Sequence, residues 1–213
     1  MRHLPTLLTL SRMAAGPIVA GLVLWAASQL YIDRYLAGFL YASACALFIV
    51  AAASDWLDGY LARKLDAVSP LGAALDHCAD KVLVACVLAA LAYAALPMDL
   101  VVAAIIIIAR DIAMSGLREG FQGAGRAAPV SPLGKWKAAA EMAGVATYLG
   151  FQSAGLLSSS VRVVFTLDWS AHILIWAGAL LALVSGAQYA FALREPAKAG
   201  VSVRTAELDH VQE

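Results

Sequence analysis

Six apolar stretches divide this chain of 213 residues, and each is long enough to cross a bilayer as a helix. They run roughly from Leu7 to Leu30, Tyr35 to Ala62, Leu71 to Leu96, Leu100 to Leu117, Trp136 to Leu157 and Ala171 to Leu193. Composition agrees: 62% of residues are hydrophobic and 14% charged, where a soluble domain is nearer half and a quarter. The expected fold class is therefore all-α, a polytopic membrane protein with six transmembrane helices in one bundle. Residues 1–194 make that domain, and the polar stretch 195–213 reads as a loosely attached C-terminal tail. The first apolar run is too long for the core of a cleavable signal, and no small-residue cleavage site with a polar start follows it.

Charge sets the orientation. If six helices alternate, Arg2, Arg63, Lys64, Arg118, Arg126, Lys135, Lys137, Arg194, Lys198 and Arg204 fall on one side, against Arg34 and Arg162 on the other. The positive-inside rule then puts both termini, and the turn between the second and third helices, in the cytoplasm. The formal net charge is zero, so nothing in the balance argues for a nucleic-acid partner. Cys45, Cys78 and Cys86 lie in or beside apolar segments, form no C-x-x-C, and read as small packing residues.

Between the second and third apolar runs stands DWLDGYLARKLDAVSPLGAALDHCAD, from Asp55 to Asp80. Ionisable residues at a membrane segment are costly and mark a functional site by default. Asp55 and Asp58 are three apart, and Asp76 and Asp80 four apart, so on helices each pair shares a face. Arg63, Lys64, Asp66, Ser69 and Pro70 form a polar turn between them. Two antiparallel helices joined there direct four carboxylates into one small volume, where their repulsion is strong. Divalent cations relieve it, and all-oxygen ligands suit Mg²⁺, Mn²⁺ or Ca²⁺. Two such ions can clamp a phosphoryl group in an in-line displacement.

The pattern D-x2-D-G-x2-A-R-x8-G-x3-D-x3-D resembles the signature of the CDP-alcohol phosphotransferases, with eight fixed residues over 26 positions. The resemblance implies two ions, Mg²⁺ or Mn²⁺. It gives Asp55, Asp58 and Asp76 as ligands of the first, Asp55, Asp76 and Asp80 as ligands of the second, and Asp80 as the general base. It also implies that Gly59, Ala62, Arg63 and Ser69 contact the CDP moiety. His77 stands where related enzymes often carry proline, a change of local helix geometry and not of ligand chemistry.

The flanks resemble one subgroup of that family, the phosphatidylglycerophosphate synthases. The opening LPTLLTLSR supplies Thr6, Thr9 and Arg12 as possible substrate contacts, with Thr6 where many of those enzymes carry Asn. Arg12 lies about two turns into an apolar run, deep enough to want an anionic ligand or a structural acid. The segments ARDIAMSGLRE and GKWK place Arg110, Arg118, Lys135 and Lys137 where they can converge at the cytoplasmic end and hold an acceptor phosphate. Headgroup anchoring is the other reading of these four.

The resemblance implies an enzyme that transfers the phosphatidyl group of CDP-diacylglycerol to sn-glycerol 3-phosphate, giving phosphatidylglycerophosphate and CMP. Other acceptors are phosphatidylglycerol (giving cardiolipin), an inositol phosphate or serine, the last disfavoured by the basic residues. The resemblance implies a multi-pass protein of the bacterial inner (cell) membrane, its active site facing the cytoplasm, in contact with membrane lipids and paired as a homodimer. A divalent-cation transporter is the rival from another class, but it calls for carboxylates near the midplane and broken helices.

Overall fold

The computed structural model describes residues 4–64, 70–123, 133–157 and 160–194. The side chains of residues 4–9, 55–77, 118, 121–123, 135 and 189–194 lie outside that description, as does the tail, 195–213. Six helices follow one another: α1 (Leu4–Gln29), α2 (Arg34–Lys64), α3 (Pro70–Ala94), α4 (Met98–Gly123), α5 (Leu133–Leu156) and α6 (Val161–Arg194). No strand occurs among the described residues. Four of the helices contain a described stretch long and apolar enough to cross a membrane: Leu10–Gln29, Arg34–Ser54, Met98–Leu117 and Val161–Gln188.

Local chemistry sets the helix ends. Asp33 caps α2: its Oδ1 accepts from the backbone N–H of Leu36 at 3.0 Å, and its carbonyl from that of Ala37 at 3.0 Å. Pro97 immediately precedes α4, where a missing N–H costs nothing, and its carbonyl accepts from Val101 N–H at 3.0 Å. α6 departs from expectation, beginning at Val161 and not near Ala171. Arg162 and Asp168 dilute the apolar run there, but neither interrupts helical hydrogen bonding, and the Val164 N–H donates to the Ser160 carbonyl at 3.1 Å.

α1 packs against α2 and α3, α5 against α6 and α2, and α4 mainly against α6; α3 and α4 meet only sparsely. The interior is closed by Val19, Tyr41, Phe48, Leu83, Leu88, Leu91, Ile107 and Ile175. In lipid, apolar burial does not drive helices together, so close backbone approach at small residues carries more of the packing. A Cβ on Gly16 of α1 would stand 3.1 Å from Leu83 Cα and Val82 O of α3. A Cβ on Gly144 of α5 would stand 2.8 Å from Ile175 Cγ1 and 3.0 Å from Ile175 N of α6. The outer surface is apolar, with Trp25, Phe39, Ile49, Ile105, Ile112, Phe165 and Leu180 all exposed. A soluble monomer does not present apolar surface on this scale; a protein solvated by lipid does.

Candidate active site

The helical backbone carries the aspartates at the spacing the sequence implies. Asp55, Asp58, Gly59, Ala62 and Arg63 lie on the last turns of α2, and Asp76 and Asp80 on the first turns of α3. The side chains of Asp55, Asp58, Gly59, Ala62, Arg63 and Asp76, and all of Ser69, fall outside the described residues. The same holds for the side chains of Thr6 and Thr9 on α1, Arg118 on α4 and Lys135 in the first turn of α5. Asp80, Arg12, Arg110 and Lys137 are fully described.

Arg12 meets Asp80. Its Nη1 donates to Asp80 Oδ1 at 2.9 Å, with the Arg12 side chain at 0% exposure and Asp80 at 30%. A guanidinium removed from solvent requires an anion or a set of acceptors, because an unpaired buried charge is among the costliest features a fold can contain. Gly16 lies one turn beyond Arg12 on α1, and Leu83 just under one turn beyond Asp80 on α3. Their close approach keeps the two helices near enough for the ion pair to form. Arg12 thus has the structural acid that its depth in α1 demanded, and that acid is a member of the aspartate motif.

The next residue, Lys81, points the other way. Its Nζ donates to Ser115 Oγ at 2.5 Å and to the Asp111 carbonyl at 3.4 Å, joining α3 to α4. It borders a cleft of about 290 Å³ between these helices, with Val84, Ala85, Ile107, Asp111 and Ser115 also in its wall. The Asp111 carboxylate gathers two cations on one oxygen. Lys137 Nζ of α5 lies 2.6 Å from Asp111 Oδ1, and Arg110 Nη1 lies 3.1 Å from it. Lys137 also donates to Glu141 Oε2 at 2.8 Å, and Arg110 Nη2 to Ser185 Oγ of α6 at 2.8 Å.

The structure thus brings together two of the four basic residues nominated for an acceptor phosphate, Arg110 and Lys137, and supplies each with acids that were not nominated. Asp111, Glu141, Lys81, Ser115 and Ser185 are the residues the sequence reading missed. For Glu141 a signal existed: a lone acid in the apolar run AAAEMAGVATYLG, four residues after a lysine on the same helix face. For Ser115 and Ser185 there was none, since a hydroxyl in an apolar helix is ordinarily satisfied by its own backbone.

Among the described residues no three His, Cys, Asp or Glu side chains gather as a metal site. The donor set of the motif is nevertheless the right one for a hard cation: carboxylates alone, on two successive helices, at one-turn spacing. A diphosphate brought to such a cluster needs positive charge between itself and the aspartates, which a divalent ion provides.

Comparison with known proteins adds to this geometry. The family model described as CDP-alcohol phosphatidyltransferase matches residues 2–184. The chain is 36% identical over 188 residues to a rice (Oryza sativa subsp. japonica) protein named cardiolipin synthase (CMP-forming), covering 81% of this chain and 54% of the rice protein. It therefore spans about half the length of that relative. It is 33% identical over 187 residues to the CDP-diacylglycerol--glycerol-3-phosphate 3-phosphatidyltransferase of Rickettsia bellii (strain RML369-C), covering 88% of this chain and 93% of the relative. The protein of the same name from Bacillus subtilis (strain 168) is 33% identical over 195 residues, covering 89% and 94%. A family model that spans the aspartate helices and most of the bundle, with relatives matched nearly end to end, leads to one conclusion: the chain belongs to the CDP-alcohol phosphatidyltransferase family.

Proposed function

We propose that this protein transfers the phosphatidyl group of CDP-diacylglycerol to sn-glycerol 3-phosphate, forming phosphatidylglycerophosphate and releasing CMP. The observation that carries the reading is the complete aspartate signature across the end of α2 and the start of α3. The names of the Rickettsia and Bacillus relatives favour the same donor and acceptor. Six membrane-crossing helices with both termini in the cytoplasm, in a homodimer in the bacterial inner membrane, complete the proposal.

In this reading Asp55, Asp58, Asp76 and Asp80 hold Mg²⁺ or Mn²⁺, which when bound offsets charge on the diphosphate and the departing CMP. Gly59, Ala62, Arg63 and Ser69 seat the cytidine diphosphate. Arg110 and Lys135, with Arg118 nearby, hold the acceptor phosphate. Asp80 accepts the proton of the acceptor hydroxyl as its oxygen attacks the β-phosphorus in line. The bond from that phosphorus to the bridging oxygen breaks, and CMP leaves with the electron pair. Positioning and fixed charge supply most of the acceleration. Arg12 keeps the Asp80 carboxylate at the α1–α3 contact throughout.

A second reading keeps the chemistry and changes the acceptor to phosphatidylglycerol, giving cardiolipin; the name of the rice relative favours it. One assay decides. The purified protein, with CDP-diacylglycerol and Mg²⁺ or Mn²⁺, is offered glycerol 3-phosphate, phosphatidylglycerol, an inositol phosphate and serine, and CMP and the lipid product are measured. Phosphatidylglycerophosphate from the first acceptor alone is the expected result. Cardiolipin would establish the second reading, and no CMP with any acceptor would end both.

A further inference from the structure

Four ionisable side chains at the junction of α4, α5 and α6 form one closed system: Arg110, Asp111, Lys137 and Glu141. Lys137 is 5% exposed and Glu141 3%; Asp111 is 13% and Arg110 18%. Two cations face two carboxylates, so the group is neutral as a whole. Lys137 sits between both acids, 2.6 Å from Asp111 Oδ1 and 2.8 Å from Glu141 Oε2. To reach a substrate phosphate, its ammonium would have to leave the buried Glu141 carboxylate unpaired and Asp111 with Arg110 alone, with a third anion arriving beside them. Arg110 stands differently. Asp111 Oδ1 and Ser185 Oγ fix its guanidinium at two points, 3.1 and 2.8 Å, yet it remains the most open of the four. Its Nε is buried and has no hydrogen-bond partner, so the open part of the guanidinium is its Nη end.

The backbone is shaped around this group. A Cβ on Gly178 of α6 would stand 2.7 Å from Glu141 Cγ, so the glycine makes room for the acid. The nearby Gly144–Ile175 contact holds α5 and α6 close on the same seam.

We infer that Asp111 positions Arg110, that Lys137 and Glu141 are a buried clamp closing the group behind Asp111, and that Lys137 does not itself touch the acceptor. The inference rests on the reading above, in which Arg110 helps to hold the acceptor phosphate. The division of labour follows from satisfaction and exposure: Lys137 spends its charge on two acids inside the protein, while Arg110 is oriented and stays the most open of the four. Asp111 is the hinge of the arrangement, because one oxygen serves both cations.

The test uses the full-length purified protein and two variants that separate clamp from contact. The double variant Lys137→Met with Glu141→Gln removes one cation and one acid, leaving Arg110 paired with Asp111. Replacing a buried ion pair as a unit is often tolerated, whereas removing one partner is not. The double variant is expected to fold and to melt close to the wild type, while Lys137→Met alone melts well below it. Its KM for glycerol 3-phosphate is expected within about threefold of wild type; loss of a direct ammonium–phosphate contact would raise it roughly tenfold to a hundredfold. Asp111→Asn should raise the acceptor KM about tenfold while the KM for CDP-diacylglycerol moves by less than about threefold. A double variant that does not fold, or whose acceptor KM rises tenfold, overturns the clamp. An unchanged acceptor KM in Asp111→Asn overturns its positioning role. If the wild type itself forms no product from glycerol 3-phosphate, the proposed function fails, and the melting comparison still tests the clamp.

Discussion

Replacing Asp80 with Asn separates the mechanism from the fold, because the structure gives Asp80 a second duty. In the proposed role of general base, its loss should lower turnover at least about a hundredfold. As the partner of Arg12, its neutralisation leaves a guanidinium of 0% exposure facing an amide. Removing one member of a buried pair costs roughly 3–5 kcal/mol. Asp80 is 30% exposed, and asparagine still offers Oδ1 to Arg12 Nη1, so the cost should fall to about 2 kcal/mol. For a chain of this size that lowers the melting temperature by about 4–8 °C. The double variant Arg12→Met with Asp80→Asn removes the buried cation together with the acid and should regain most of that stability without regaining turnover. The assay is thermal unfolding in detergent beside single-turnover CMP release at saturating CDP-diacylglycerol. Recovery of turnover in the double variant would refute Asp80 as the base. An unshifted melting temperature in Asp80→Asn would show that the ion pair does not hold α1 to α3.

Three further outcomes are expected. CMP release should stop in excess EDTA and return with Mg²⁺ or Mn²⁺; full activity under chelation would sink the role given to the aspartates. Lys135→Ala should raise the KM for glycerol 3-phosphate more than that for CDP-diacylglycerol, and an equal rise in both would point to folding or donor binding. Gly16→Ala places a methyl 3.1 Å from the backbone of Val82 and Leu83, which cannot rotate away. It should destabilise by about 1–3 kcal/mol and lower turnover by disturbing Asp80; a melting curve matching the wild type would refute the tight α1–α3 contact.

The helices were largely legible because apolar run length is a property of the sequence alone. All six expected stretches coincide with α1–α6, and the largest boundary error, at the start of α6, arose where Arg162 and Asp168 lower hydropathy without ending a helix. The one-turn spacing of Asp55 with Asp58 and of Asp76 with Asp80 was legible for the same reason, since helical periodicity fixes it. Partners across helices were not. Arg12 announced a need for an anion but not which one. Arg110 and Lys137 are legible as cations fit for a phosphate or a headgroup, but not as partners of Asp111 and Glu141. Sequence distance hides such pairs: Lys137 and Asp111 are 26 residues apart, and Arg110 and Ser185 are 75.

α3 is also fastened at its far end, where the Tyr148 hydroxyl of α5 donates to the Ala95 carbonyl at 2.6 Å. Asp80 and Ala95 are separated by about 22 Å along the helix at 1.5 Å per residue. A rod pinned at two such distant levels can neither slide nor tilt without breaking a bond, so α3 behaves as a fixed strut. Among the described residues its contact with α4 is thin, bridged by Lys81 and opened by the cleft beside it. Movement at the cleft between α3 and α4 is thereby left to α4, and Asp80 stays in place while that wall shifts.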